Sequence, residues 1–549
     1  MTASSPGGGR ASGGPDWARD AVFYQIFPDR FASSVRVPKP GALETWDAPP
    51  TTNGFKGGDL LGIAEHLDDL AQLGISALYL TPVFASASNH RYHTYDYEVV
   101  DPLLGGDAAL RTLLDEAHAR GMRIILDGVF NHASRGFWPF HHVLENGAAS
   151  PYRDWFHLDA QVLAGGRGLN AYPGQGEAEA IERIRSGQDL AETGSGPVAV
   201  SGATVDPGTP SQRGLGYRAW WDLPALPKLN HSNPAVRAYI YGVVERWTRF
   251  GVDGWRLDVP EEIDEPGFWE EFRRRVVAVN PEAYLVGEIW TPAQDWLAGD
   301  RFHAVMNYPL AESILSFVGA GRLDAALVAR THEYGRHVRD IDGQEFARQL
   351  AGVMATYASE VASLQLNLLD SHDTPRFISL AGGDTAALRL ATLIQMTLPG
   401  APCIFYGDEV GLEGREDPDC RRAYPRDPAR QDRALRDFFA GLIAARHAND
   451  VLRRGTFELL VAEGSAVAYR MFDSERPTEQ SIVVAINAAN VPVLLTIERP
   501  DLAGHRAEQV SWPGRDWVTA FAPRLLDEGP LVVELAAREG VAVRVASDL

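Results

Sequence analysis

Eight short apolar runs, at 21–27, 75–80, 123–129, 252–258, 284–287, 304–307, 365–369 and 403–406, recur in order along the chain. Most are separated by stretches whose apolar residues repeat at helical spacing, at 60–73, 108–120, 234–250, 266–279, 385–398 and 432–446. Strand-length runs alternating with amphipathic helices require a parallel sheet with crossover helices, because consecutive parallel strands cannot be joined by a tight turn. Eight such units closing on themselves form an α/β (β/α)8 TIM barrel, with its chemistry at the C-terminal ends of the strands. An open doubly wound sheet is the competing architecture.

The alternation breaks over 133–216, which is rich in Gly, Pro and polar residues, and from about 452 it gives way to short alternating strands at 467–472, 482–486, 493–497 and 531–535. The expected organisation is therefore a disordered tail over 1–15, a barrel from 16–132 and 217–448, an inserted domain over 133–216, and a C-terminal antiparallel β-sandwich over 452–549. The balance of 51 Lys and Arg against 73 Asp and Glu gives a net charge of −22, which repels phosphate backbones and anionic lipid and argues against nucleic-acid and membrane partners. With two cysteines, Cys403 and Cys420, and no apolar run suited to a signal peptide or a membrane helix, a cytoplasmic location is expected.

Polar clusters sit at the ends of several runs. Asp127-Gly-Val-Phe-Asn-His132 follows the third, and Gly254-Trp-Arg-Leu-Asp258 closes the fourth. Side chains alternate along a strand, so Arg256 and Asp258 share a face, and a guanidinium there should keep the aspartate ionised, as a carboxylate nucleophile requires. The plain alternative is a structural ion pair. Glu288 ends the apolar Tyr284-Leu-Val-Gly run, where desolvation can raise its pKa and keep it a proton donor. Asp370-Ser-His-Asp-Thr-Pro-Arg376, taken alone, reads as an ordinary turn. Together, these acids would converge on one barrel mouth. Two carboxylates of unlike pKa flanking one bond meet the requirement of glycoside hydrolysis, and a divalent-metal site for phosphate or isomerase chemistry is the other use of such a mouth.

DGVFNH at 127–132, GWRLD at 254–258, GEIW at 287–290 and SHDTPR at 371–376 resemble, in order and spacing, the four signature regions of the α-amylase family, glycoside hydrolase family 13. FYQIFPDRFA at 23–32, LPKLN at 226–230, AVMNYPL at 304–310 and YGDEVGLEG at 406–414 are similar to its neopullulanase, cyclomaltodextrinase and maltogenic amylase branch. The resemblance implies Asp258 as nucleophile, Glu288 as acid and base, and Asp373 as the residue holding sugar hydroxyls as the transition state develops. It also implies that Arg256 supports the nucleophile, that His132 and His372 donate to the cleaved glucose unit, and that His90 and stacking Tyr92 lie beneath it. Arg376 falls in the fourth motif, and Lys228 and Trp290 would line the leaving-group side. The implied substrates are α-glucan oligosaccharides or polysaccharides, cut at α-1,4 and also α-1,6 bonds. Transglycosylation through the same intermediate and non-catalytic glucan binding are the alternatives.

Two departures from the branch stand out. Only about 21 residues precede the first strand, leaving no room for the N-terminal dimerisation domain of many relatives, so the oligomeric state is open. The loop Ser33-Ser-Val-Arg-Val-Pro-Lys-Pro40 carries no carboxylate where many relatives bind calcium. Asn131 matches a second calcium position but has no evident partner set in 133–216. No metal or other cofactor is expected.

Overall fold

The computed structural model describes residues 13–165, 168–174, 210–331, 334–477, 480–499, 501–502, 506–509, 524–525 and 530–546. Most of the expected tail and much of the expected insertion, including residues 175–209, lie outside the described residues. Eight parallel strands form the central sheet: Phe23–Ile26 (β1), Ala77–Leu80 (β2), Arg123–Gly128 (β5), Gly254–Leu257 (β6), Tyr284–Gly287 (β7), Ala304–Val305 (β8), Leu366–Leu368 (β9) and Ala401–Phe405 (β10). Their order is β8-β7-β6-β5-β2-β1-β10-β9, and a parallel bridge between Met306 and Leu366 brings the two edges together. The sheet is thus a barrel, and the open-sheet alternative falls. The strands are short and, apart from Arg123 at the start of β5, buried, as expected where helices cover the outside and side chains fill the inside.

The expected helix over 60–73 is two helices, Leu60–Ala64 and Leu67–Leu73, the first capped by Asp59, whose carboxylate accepts from Gly62 N. A hairpin of Phe84–Ser86 (β3) and Thr94–Val100 (β4), not anticipated from the sequence, follows β2 and carries the loop with His90 and Tyr92. Helices Tyr308–Val318 and Gly343–Ala355 were likewise not anticipated.

Beyond the barrel, Thr456–Glu463 (β11), Ala466–Phe472 (β12), Ser481–Asn487 (β13), Val493–Ile497 (β14), Arg506–Gln509 (β15), Arg524–Leu525 (β16), Leu531–Leu535 (β17) and Gly540–Ala546 (β18) build two antiparallel sheets, β11-β12-β13-β18-β15 and β14-β17-β16. Alternation divides the work of the larger sheet. Val483, Ala485, Val541, Val543 and Val545 pack against Leu495, Ile497, Leu531 and Val533 of the smaller sheet, whereas Val467, Tyr469, Met471, Ile482 and Val484 join the barrel core. The Tyr469 hydroxyl lies 2.6 Å from Thr397 Oγ1 of a barrel helix, sealing that junction.

Candidate active site

Strand register assembles the mouth. Asp127 on β5 pairs with Arg256 on β6, so both side chains point inward at the same level. Gly254 permits the close β6–β7 approach, since a Cβ there would lie 2.2 Å from the Tyr284 carbonyl. One residue beyond the strand ends, Asp258 N donates to Gly128 O (3.1 Å) and Glu288 N to Leu257 O (2.9 Å), placing both carboxylates just above Arg256.

Arg256 is buried and binds three acids. Its Nη1 lies 2.8 Å from Asp127 Oδ1 and 3.1 Å from Asp258 Oδ1, and its Nη2 lies 2.5 Å from Glu288 Oε1. Val259, next to the aspartate, adopts φ +35°, a costly conformation for a β-branched residue. In that conformation its N–H donates to Glu288 Oε2 at 3.2 Å. Asp258 Oδ2 is buried and has no hydrogen-bond partner among the described residues. That is the state of an oxygen kept for a reacting atom.

One guanidinium does not neutralise this many acids. Burial raises the Glu288 carboxyl, Arg256 pulls it down and Asp373 pushes it up again, leaving it at about 7. Asp258 is also held above the ordinary carboxylate range. Burial is the main cause, and Glu288 and Asp127 add to it against the pull of Arg256. This corrects the expectation that Arg256 alone keeps Asp258 low: the strand pattern reveals the arginine but not the acids across the barrel.

A second set holds the sugar-facing groups. Gln25 Nε2 donates to His372 Nδ1 (2.8 Å), which assigns the proton to Nε2, facing the Tyr92 hydroxyl at 2.5 Å and Asp373 Oδ2 at 3.1 Å. Tyr92 stacks on His372 with centroids 5.3 Å apart and in turn donates to Asp127 Oδ2 (2.7 Å), as does Tyr79 (2.7 Å). Burial drives His372 and His132 down to about 3, so both rings are neutral. For Asp373, burial is outweighed by His372 and by Arg421, whose Nη2 lies 3.2 Å away, and its carboxyl is held below the ordinary value. With 34% of its side chain exposed, it is the most accessible of the three acids. His90 enters through a tight loop in which Arg91 has φ +62°, and its Nδ1 accepts from Tyr92 N at 3.2 Å.

Most of the residues expected from the sequence therefore share one mouth. Trp290 is half-buried and stacks on Tyr308 at 3.5 Å. Lys228 bridges to His132 through the backbone and extends its ammonium to Glu262 (2.7 Å). Arg376 does not face this cluster. It is fully buried against Asp408 (2.9 Å) and the carbonyls of Tyr406 (2.6 Å) and Cys420 (2.9 Å), so it braces the loop that carries His372 and Asp373. Sequence reasoning missed Gln25, Tyr79 and Arg421. A lone polar residue in the apolar Phe23–Ile26 strand was a readable sign of the first, whereas Arg421 reaches Asp373 from 48 positions away with no local signal.

Among the described residues no group of three or more His, Cys, Asp or Glu could hold a metal. At the loop over 33–40, Lys39 Nζ lies 3.0 Å from the buried Asp59 carboxylate and 2.6 Å from Leu103 O. Oxygens that could face a calcium ion there already face an ammonium, and the donor set does not fit the six to eight oxygens calcium takes.

Comparison with known proteins agrees with this architecture. Residues 25–456 match the family description "Alpha amylase, catalytic domain". The chain is 39% identical over 480 residues to a cyclomaltodextrinase of Geobacillus thermopakistaniensis, covering 87% of this chain and 70% of that protein. It is 38% identical over 492 residues to neopullulanase 2 of Thermoactinomyces vulgaris, covering 89% and 73%. The crystal structure of a debranching enzyme from Nostoc punctiforme superposes with a TM-score of 0.78 at 39% identity, covering 97% of this chain and 99% of that one. A barrel whose mouth gathers acids around a buried arginine is here that of a glycoside hydrolase, and the chain belongs to the α-amylase family, glycoside hydrolase family 13.

Proposed function

We propose that this enzyme cleaves α-1,4 glucosidic bonds of malto-oligosaccharides, pullulan, cyclodextrins or starch, and α-1,6 bonds as well, with retention of anomeric configuration. The observation that carries the reading is the bridging of Asp258 and Glu288 by one guanidinium, with Asp258 Oδ2 left without a partner among the described residues. Attachment to neighbouring nitrogens of one group supports the short separation of retaining enzymes, about 5–5.5 Å, over the about 6.5–9.5 Å of inverting ones. The substrate range is supported by the relatives named cyclomaltodextrinase, neopullulanase and debranching enzyme.

In the first step Asp258 Oδ2 attacks the anomeric carbon while protonated Glu288 gives its proton to the departing glycosidic oxygen. The C–O bond breaks and a glycosyl ester of Asp258 forms. Glu288, now ionised, takes a proton from water as the water oxygen attacks the anomeric carbon and frees Asp258. Asp373, His372 and His132 hold the sugar hydroxyls, and the Tyr92 ring lies against the carbohydrate's C–H face as positive charge builds. Glu288→Gln and Asp258→Asn should each lower kcat on maltotriose by about 10³-fold or more with the fold intact. Either variant retaining wild-type turnover would refute the role assigned to that residue, and a β-configured first product in an NMR time course would refute retention.

The ammonium of Lys39 also supports a catalyst independent of calcium. Chelation with EDTA should leave both the melting temperature and kcat unchanged, whereas Lys39→Ala should lower the melting temperature. A fall on chelation, reversed by calcium, would overturn this part of the reading. Localisation in the cytoplasm is supported by a relative named intracellular maltogenic amylase of Bacillus subtilis. Among the described residues no helix is long and apolar enough to cross a membrane.

A further inference from the structure

One buried cation outside the mouth has no part in the chemistry above. The segment over 43–57 carries no helix or strand, and the Lys56 side chain is sealed inside it, fully shielded from solvent. Its ammonium donates to the carbonyls of Thr45 (2.7 Å) and Ala48 (2.8 Å) and lies 3.3 Å from Glu44 Oε2. The three N–H bonds of an ammonium thus face three oxygens. Glu44 Oε1 in turn accepts from Thr51 N at 3.2 Å, and Glu44 N donates to Phe55 O at 2.9 Å. At the other end, the backbone N–H groups of Lys56 and Gly57 donate to the two oxygens of the buried Asp29 carboxylate, at 2.9 and 3.1 Å. A loop without regular structure must find such partners for its own polar groups, and here one ammonium gathers residues 44, 45 and 48.

The same loop meets the active site through Asn89. Asn89 Nδ2 donates to Thr52 O (2.9 Å) and to Gly54 O (2.8 Å), which anchors both of its amide protons. Gly54 O also accepts from Arg30 Nη2 at 2.8 Å. Asn89 directly precedes the tight turn that presents His90 and Tyr92. Within that turn Arg91 donates back to Asn89 O, and its guanidinium lies 5.8 Å from the centre of the Phe55 ring. A left-handed residue such as Arg91 keeps its conformation only while its surroundings hold it. Part of those surroundings is the loop that Lys56 closes. Without the ammonium, the carbonyls of Thr45 and Ala48 and the Glu44 carboxylate lose their common partner and must turn toward water, which shifts 52–55 and Asn89 with it.

We propose that Lys56 is a positioning residue for hydrolysis: its ammonium is the internal cation that shapes the 43–57 loop and, through Asn89, sets His90 and Tyr92 beneath the sugar being cleaved. This rests on the α-glucan reading above and on the places that reading gives His90 and Tyr92. Lys56 touches no reacting atom. Its effect lies in kcat, because the Tyr92 ring is engaged most as positive charge builds on the sugar.

The test measures kcat and KM on maltotriose, normalised to folded protein by circular dichroism, in wild-type protein, Lys56→Met, Lys56→Gln, Asn89→Ala and a double variant joining Asn89→Ala to a folded Lys56 variant. Lys56→Met should lower kcat about tenfold, with KM changed less than about threefold. Lys56→Gln, which keeps two N–H donors and serves if Lys56→Met does not fold, should lower kcat at least about threefold. Asn89→Ala should lower kcat about tenfold, and the double variant should match Asn89→Ala within about twofold, because both changes act along one path. A smaller loss than about threefold in a folded Lys56 variant, a loss confined to KM, or losses that multiply in the double variant would each overturn the assignment and leave the α-glucan reading standing. Wild-type protein inactive on maltotriose, pullulan and soluble starch overturns both.

Discussion

Two arginines are sealed into the barrel mouth, and they do opposite things. Arg256 is bound by side chains only: the carboxylates of Asp127, Asp258 and Glu288, with the Tyr92 hydroxyl at 3.4 Å. Arg376 has one charged partner within ion-pair reach, Asp408, and spends its other contacts on the carbonyls of Tyr406 and Cys420 and on the faces of Phe405 and Tyr406. Burial is equal and composition similar, but acceptors fixed in the backbone make a brace, whereas acceptors on side chains that end in the pocket make a site. A buried Arg–Asp pair in a cleft is therefore not in itself a sign of catalysis. What distinguishes the two is whether the bound acids can also reach a ligand.

The sharpest way to break this comparison is to replace each arginine by lysine, which keeps the charge but lacks the planar fork of donors that fixes each partner in place. Arg256→Lys should lower kcat by about a hundred- to a thousandfold, because Asp258 and Glu288 lose their common anchor. Turnover within tenfold of wild type would show that the bridge is dispensable. Arg376→Lys should cost stability instead, about 3–5 kcal/mol in denaturant unfolding, with a loss of kcat at least tenfold smaller than that of Arg256→Lys. Equal losses of kcat would erase the distinction drawn here.

A smaller effect separates the two acid sets by pH. In its proposed role Glu288 acts as the proton donor, so kcat/KM should fall about tenfold per pH unit above about 7. Stability follows with its own sign. The folded protein keeps on Glu288 a proton that the unfolded chain loses in the ordinary carboxylate range, so stability should decline as pH rises from there to about 7 and then level off. Glu288→Gln should flatten part of that decline in thermal melts, while Arg376→Lys should shift the curve down without changing its shape near pH 7. A decline unaltered in Glu288→Gln would place the responsible proton elsewhere.

All eight barrel strands were legible in the sequence, because buried parallel strands are near-continuous apolar runs and most of the helices between them show their period, those between β8 and β9 excepted. So were Asp258 and Glu288, because charged residues at the ends of apolar runs stand out, whereas the stretch holding Asp373 reads alone as a turn and was singled out only by the resemblance. The β3–β4 hairpin was not, since its polar residues, three of them exposed or nearly so, mask the alternation. The supports of the site were less visible still. Tyr79 reads as one more apolar strand residue until its hydroxyl is seen on Asp127, Gln25 acts on His372, 347 positions away, and Arg421 acts on Asp373, 48 positions away. The charge state of Asp258 failed for the same reason: local pattern shows which residues share a strand face, not how many acids the closed barrel brings to it.

The sharing of one guanidinium has a consequence for the reaction coordinate. In the proposed mechanism the nucleophile's negative charge disappears as it becomes an ester, and at that moment Glu288, having released its proton, becomes the anion. Arg256 lies 3.1 Å from Asp258 and 2.5 Å from Glu288, so the proposed shift of charge passes between two groups that it already holds. The countercharge need not move to follow the electrons, and a rigid, fully enclosed cation can serve both half-reactions.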